Sequence, residues 1–183
     1  MIETIDPRSD KTTGYHLFLM PEGVLAEELQ QTIQNLSQVY GGPVFAPHVT
    51  LLARIPGISD DEMIEKTKDL AQALSPMNLT LGELASEPSY FRALYSRIVE
   101  HDQVREAYDK AADAFSMERN PEYLAHLSLL YGNFSEDEAS HIKASVTLPA
   151  DVQFVADKLH LFRTKGAVGQ WQKVAEFPCT GGH

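Results

Sequence analysis

The first regular pattern along the chain is a short apolar run over residues 15–20, bounded by Gly14 and Pro21, and it predicts a strand. Apolar residues then recur at Val24, Leu25, Leu29, Ile33, Leu36 and Val39. That spacing makes one face of a helix over residues 24–40, stopped by Gly41 and Gly42. Residues 49–55 read as a strand ended by Pro56 and Gly57. Ser59 with Glu62 three residues later is a capping box opening a helix that runs to about residue 74. Two strands are expected next, over residues 79–84 and 90–99. Residues 1–13 are polar and aperiodic and read as a loose tail.

The second half repeats this order. It reads as a helix over 103–115, a strand over 126–131, and a second capping box at Ser135 and Glu138 with its helix. Strands over 152–163 and 171–177 follow. The local sequence repeats as well: Ala46-Pro47-His48-Val49-Thr50-Leu51-Leu52 stands against Leu124-Ala125-His126-Leu127-Ser128-Leu129-Leu130. Both segments place a hydroxyl two residues after a histidine and two leucines after the next position. We read this as an internal pseudo-twofold duplication, residues 14–99 and 100–178, inside one domain spanning 14–183. Strands mixed with helices, several of them adjacent in sequence, predict an α+β fold with antiparallel pairing.

Strand parity turns the repeat into chemistry. Residues i and i+2 share a face of a strand, so His48 points with Thr50 and His126 with Ser128. Two imidazoles of this kind, brought together, suit hydrolysis of a cyclic phosphodiester. One removes a proton from water and the other protonates the leaving oxygen, both near the imidazole's ordinary pKa of about 6.5. The hydroxyls of Thr50 and Ser128 are donors for the phosphoryl oxygens. No third recurring ligand accompanies the two histidines, so neither a metal nor another cofactor is expected. The remaining histidines read as ordinary strand or surface residues; Arg54, Arg92 and Arg163 are candidate phosphate contacts and are read in preference as surface charges.

Composition changes the picture in two places. Fifteen basic residues against twenty-six acidic ones give a net charge of −11, which disfavours a long polyanion as partner. A small nucleotide carrying a cyclic phosphate remains compatible. The single cysteine, Cys179, leaves no internal disulfide, and neither a membrane-spanning run nor a signal-type N-terminus is evident. We therefore expect a cytoplasmic, monomeric protein without long nucleic acid or membrane as partner.

At these motifs the chain resembles the 2H phosphoesterase superfamily, whose paired His-x-Thr/Ser signatures stand here as His48-Val49-Thr50 and His126-Leu127-Ser128. Within it the chain is most like the plant and yeast-type cyclic phosphodiesterases, through residues 47–50 and 125–131 and the opening strand. The likeness extends over residues 15–177 in element order. It implies a bilobal α+β fold: two antiparallel sheets facing a central cleft, with helices outside. It also implies hydrolysis of ADP-ribose 1″,2″-cyclic phosphate, a by-product of tRNA splicing, and of nucleoside 2′,3′-cyclic phosphates to 2′-phosphates. His126 would be the base and His48 the acid.

The resemblance further implies aromatic residues around the substrate, at Phe18 on the first strand and at Tyr131 after the second motif. Tyr90 and Phe91 are added candidates to flank a base. Tyr131 has the opposite parity to His126 and reaches the site only if its strand twists or ends near Gly132. Two other readings stand beside this one. The first is an RNA 2′,3′-cyclic phosphodiesterase or 2′-5′ RNA ligase-like member of the superfamily. The second is a nucleotide-binding module without turnover.

Overall fold

The computed structural model describes residues 6–57 and 59–181. Eight strands and four helices alternate along them. They are β1 (Tyr15–Leu19), α1 (Gly23–Tyr40), β2 (Val49–Ile55), α2 (Asp60–Ala73), β3 (Met77–Ala85), β4 (Leu94–Ile98), α3 (His101–Ala114), β5 (His126–Leu130), α4 (Glu136–Ser145), β6 (Gln153–Ala156), β7 (Lys158–Arg163) and β8 (Gln172–Pro178). The α+β class with antiparallel pairing is as the pattern predicts. Instead of two separate sheets, the strands form one, in the order β6-β3-β4-β5-β2-β1-β7-β8. Its two four-strand halves meet at one paired position, Val49 opposite Leu127.

Each half of the sheet draws on both the first and the second half of the chain. β7 and β8 lie beside β1 and β2, and β6 lies beside β3. The expected repeat boundaries, 14–99 and 100–178, follow chain order and so do not divide the sheet. The residues from 152 to 163, expected as one strand, split at Asp157 into β6 and β7. These two sit near opposite ends of the strand order yet are one residue apart in sequence, so the sheet must curl until its ends approach. The other difference lies at residues 90–99. Tyr90–Arg92 form a 3₁₀ turn, and the strand begins only at Leu94.

Alternation along β2 and β5 sorts side chains between the two faces. Val49, Leu51, Leu127 and Leu129 are fully buried, with α3 packed against β2 and α1 against β5. His48, Thr50, His126 and Ser128 point to the other, concave face. Both predicted helix starts hold. Ser135 and Glu138 close a reciprocal capping box on α4, and Ser59 Oγ accepts from Glu62 N on α2.

The polar segment before β1, expected as a loose tail, is tied down over residues 6–13. Tyr90 N donates to the Pro7 carbonyl at 2.8 Å, and Asn133 Nδ2 donates to the Arg8 carbonyl at 2.9 Å. Thr12 and Gly166 exchange backbone hydrogen bonds of 3.1 and 2.9 Å. These contacts are made by main-chain groups, which is why side-chain composition did not announce them. Residues 1–5 lie outside the described residues. Among those described, no helix is long and apolar enough to cross a membrane.

Candidate active site

The concave face holds a cavity of about 730 Å³. His48, Thr50, His126, Ser128, Phe18, Phe91 and Tyr131 line it, so seven of the eight residues singled out from sequence converge on one place. Tyr90 stands behind the wall, edge-on to Phe91 at 5.0 Å between ring centroids. Tyr90 is not part of the lining, although its neighbours Ser89, Phe91 and Arg92 are.

The two histidines are held alike. His48 Nδ1–H donates to the carbonyl of Ala46 at 2.7 Å, and His126 Nδ1–H to that of Leu124 at 2.8 Å. In each case the acceptor is the carbonyl two residues earlier, so the repeat in sequence is also a repeat in hydrogen bonding. With Nδ1 carrying the proton, the neutral rings keep an Nε2 lone pair for chemistry. Tyr131 O–H donates to His48 Nε2 over a long 3.4 Å. It reaches there because β5 stops at Leu130, and its ring lies flat on Phe45 at 3.7 Å. Phe18 stacks on the His48 ring at 3.9 Å and is almost fully buried, which makes it a wall behind the imidazole.

The two motif hydroxyls differ. Thr50 Oγ1 has no hydrogen-bond partner among the described residues, while Ser128 Oγ–H donates to the Phe91 carbonyl at 2.8 Å. Parity places both serine and threonine on the cavity face, but only Thr50 keeps its donor free. Ser128 instead fixes the 3₁₀ turn that carries Phe91 and Arg92.

Burial sets the protonation states. Loss of solvation pushes His48 down to about 4, against a smaller raising effect of the Ala46 carbonyl. His126 is also lowered to about 4, by burial first and then by the Arg92 guanidinium; a charge on His48 lowers it further. Both rings are thus neutral at neutral pH in the free protein, and protonation of one disfavours protonation of the other. Arg92 lines the cavity and is held by Glu87 at 3.1 Å, while Tyr95 O–H donates to the same carboxylate at 2.7 Å.

His16 and Trp171 carry no assignment from sequence, and Arg54 and Arg92 are read there as surface charges rather than phosphate contacts, yet all four line the cavity. For His16 the signal was present: it lies two residues before Phe18 on one strand and therefore on the same face. For Trp171 there was none, since it enters from the β7–β8 connection. Arg163 pairs with Asp60 and is not part of the lining. Among the described residues no group of three or more histidine, cysteine or acidic side chains is placed to hold a metal ion.

Comparison with known proteins gives a consistent result. The family model described as the 2′-5′ RNA ligase superfamily matches residues 21–167. A cyclic phosphodiesterase of Arabidopsis thaliana is 23% identical over 128 residues, covering 70% of each chain. Among solved structures, TT0787 of Thermus thermophilus superposes with a TM-score of 0.61 at 13% identity, over 92% of this chain and 99% of that one. E. coli LigT complexed with 3′-AMP superposes with a TM-score of 0.57 at 13% identity, over 94% and 99%. These structures share the fold.

Proposed function

The chain belongs to the 2′-5′ RNA ligase superfamily, the two-histidine phosphoesterases, and from that premise we propose that it is a phosphodiesterase hydrolysing small cyclic phosphates. The observation that carries this reading is the duplicated Nδ1–H to carbonyl bond. It presents two neutral imidazoles to one cavity, His48 buried and His126 half-buried, with Nε2 of His126 unpartnered among the described residues and that of His48 met only by the long contact from Tyr131. The substrates proposed are nucleoside 2′,3′-cyclic phosphates and ADP-ribose 1″,2″-cyclic phosphate. A cyclic phosphodiesterase among the relatives supports the choice.

In the proposed reaction on a 2′,3′-cyclic phosphate, His126 Nε2 takes a proton from water as its oxygen bonds to phosphorus. The bond from phosphorus to O3′ breaks, and His48 Nε2–H gives its proton to O3′, leaving a 2′-phosphate and a 3′-hydroxyl. The roles are those that the family resemblance implies. Arg92 beside His126 opposes its protonated form, so that ring stays neutral and free to accept a proton. No such cation lowers His48, and a phosphate anion between the rings raises the pKa of the acid. Thr50 Oγ–H is the free hydroxyl donor for a phosphoryl oxygen.

The cavity favours a mononucleotide over the end of a long RNA. Pro7 and Thr12 line it, and the segment between them runs from the turn at Tyr90 to the β7–β8 connection. The net charge of −11 acts in the same direction.

The test is turnover of 2′,3′-cyclic AMP, ADP-ribose 1″,2″-cyclic phosphate and an oligonucleotide ending in a 2′,3′-cyclic phosphate, all in EDTA. Wild type is compared with His48→Ala and His126→Ala. Turnover of the small compounds, lost in both variants, is the expected outcome. Preference for the oligonucleotide would replace the substrate class, and binding without turnover would leave a nucleotide-binding module.

A further inference from the structure

One end of the cavity carries hydrogen-bond donors that nothing among the described residues accepts. Buried polar atoms in folded proteins are nearly always paired, so a local group of exceptions calls for a cause. Thr12 Oγ1 and Trp171 Nε1 are both buried without a partner among the described residues, and both residues line the cavity. His16 joins them. Its Nδ1 faces the Thr164 hydroxyl and accepts from Arg54 N at 3.4 Å, which leaves the ring N–H on Nε2 with no partner. The His16 and Trp171 rings stack at 6.2 Å between centroids, and Trp171 lies 6.3 Å from His48.

Arg54 completes the group. Arg92, Arg97, Arg105, Arg119 and Arg163 each pair with a carboxylate. Arg54 pairs with none of the described residues, although the chain holds an excess of acidic residues and this guanidinium is part-buried in the cavity wall. Its backbone is left-handed, with φ at 56°, a conformation that a residue with a long side chain seldom adopts. Strain of this kind collects at functional positions. The reaction proposed above uses none of Thr12, His16, Arg54 or Trp171.

We propose that Thr12, His16, Arg54 and Trp171 form a second anion subsite, which holds a further phosphoryl group of the substrate away from the cyclic phosphate. The inference rests on the reading of His48 and His126 as the reaction centre, since it is their cavity that the subsite extends. A guanidinium, an imidazole N–H, an indole N–H and a hydroxyl are all donors, and a phosphoryl group is an acceptor on every free oxygen. Burial lowers His16 to about 3, so the ring stays neutral and keeps a single N–H to give. Cyclic phosphates that carry a second phosphate or a pyrophosphate are then bound more tightly than 2′,3′-cyclic AMP, which engages the reaction centre alone.

Titration calorimetry with two non-reacting probes tests this independently of turnover. Adenosine 2′,5′-bisphosphate should bind wild type at least about tenfold more tightly than adenosine 2′-monophosphate, the worth of one charge-assisted contact. Arg54→Gln should bring the two affinities to within about twofold, and Trp171→Phe, which keeps the ring and removes the N–H, should narrow the gap in part. If Arg54→Gln does not fold, the Trp171→Phe comparison stands alone. Equal affinities in wild type, binding of neither probe, or an advantage that survives Arg54→Gln and Trp171→Phe would overturn the proposal. Inorganic phosphate bound by wild type while the two nucleotides remain equal would mean that the wall takes a free anion, and would overturn it too. An intact bisphosphate advantage in a protein that turns over neither 2′,3′-cyclic AMP nor ADP-ribose 1″,2″-cyclic phosphate would support the subsite and sink the proposed reaction.

Discussion

Acid should unfold this protein partly through His48, and the size of the effect follows from its burial. The folded ring titrates near 4 because desolvation penalises its charge, while the unfolded ring titrates near 6.5. Between these values the unfolded chain holds the extra proton, so stability is full above pH 6.5 and falls as pH drops toward 4. At pH 5.0 the unfolded ring is almost wholly protonated and the folded ring is not. The linkage amounts to about 2 kcal/mol relative to pH 7.5. Asparagine at position 48 cannot titrate and removes this contribution. Denaturant unfolding of wild type and His48→Asn at pH 7.5 and 5.0 measures it directly. Wild type should lose about 2 kcal/mol more than the variant over that interval. Equal losses would show that His48 titrates normally in the folded state, and the argument that both imidazoles are neutral would fail for this ring.

Arg92→Gln should raise the pKa of His126, because a cation that opposes the imidazolium is gone. The corresponding limb of the pH profile of kcat/KM then moves to higher pH, and an unmoved limb would refute the coupling. Thr50→Ala should lower kcat by about 10²-fold with little change in Tm, since its hydroxyl serves no other group. Ser128→Ala should instead cost about 1 kcal/mol of stability through the lost bond to the Phe91 carbonyl. A Thr50-like loss of kcat without destabilisation would show that Ser128 turns to the substrate. Phe18→Ala should cost about 3–5 kcal/mol by thermal unfolding, because it empties a buried position packed on His48 and Phe162.

The parts of this fold legible in the sequence are those fixed by short-range rules. Alternation in residues 49–55 and 126–130 put each histidine with its hydroxyl, and the same alternation buried Val49, Leu51, Leu127 and Leu129 behind them. Capping residues marked two helix starts. Sheet topology was not legible, because it depends on which strands pair across long separations. Residues 152–163 have continuous strand character, and nothing local to Asp157 announces that the chain leaves β3 on one side of it and joins β1 on the other. A similarity in chain order could therefore be recognised without showing that each half of the sheet takes strands from both halves of the chain.

The same division explains what was found and missed in the site. His48 and His126 stood out because the same short motif occurs twice, and the matching bonds to the carbonyls of Ala46 and Leu124 anchor the two rings alike. Their surroundings are not duplicated. Phe18 backs His48, whereas Tyr95 stands edge-on to His126 with Glu87 and Arg92 beyond it. A symmetric pair of imidazoles has no reason to divide into acid and base. Arg92 breaks that symmetry on one side, and the unpaired donors around Arg54 break it on the other. The two histidines thus share a motif and an anchoring bond but not their neighbours, and of those neighbours Arg54, Arg92 and Trp171 carry no signature in a single sequence.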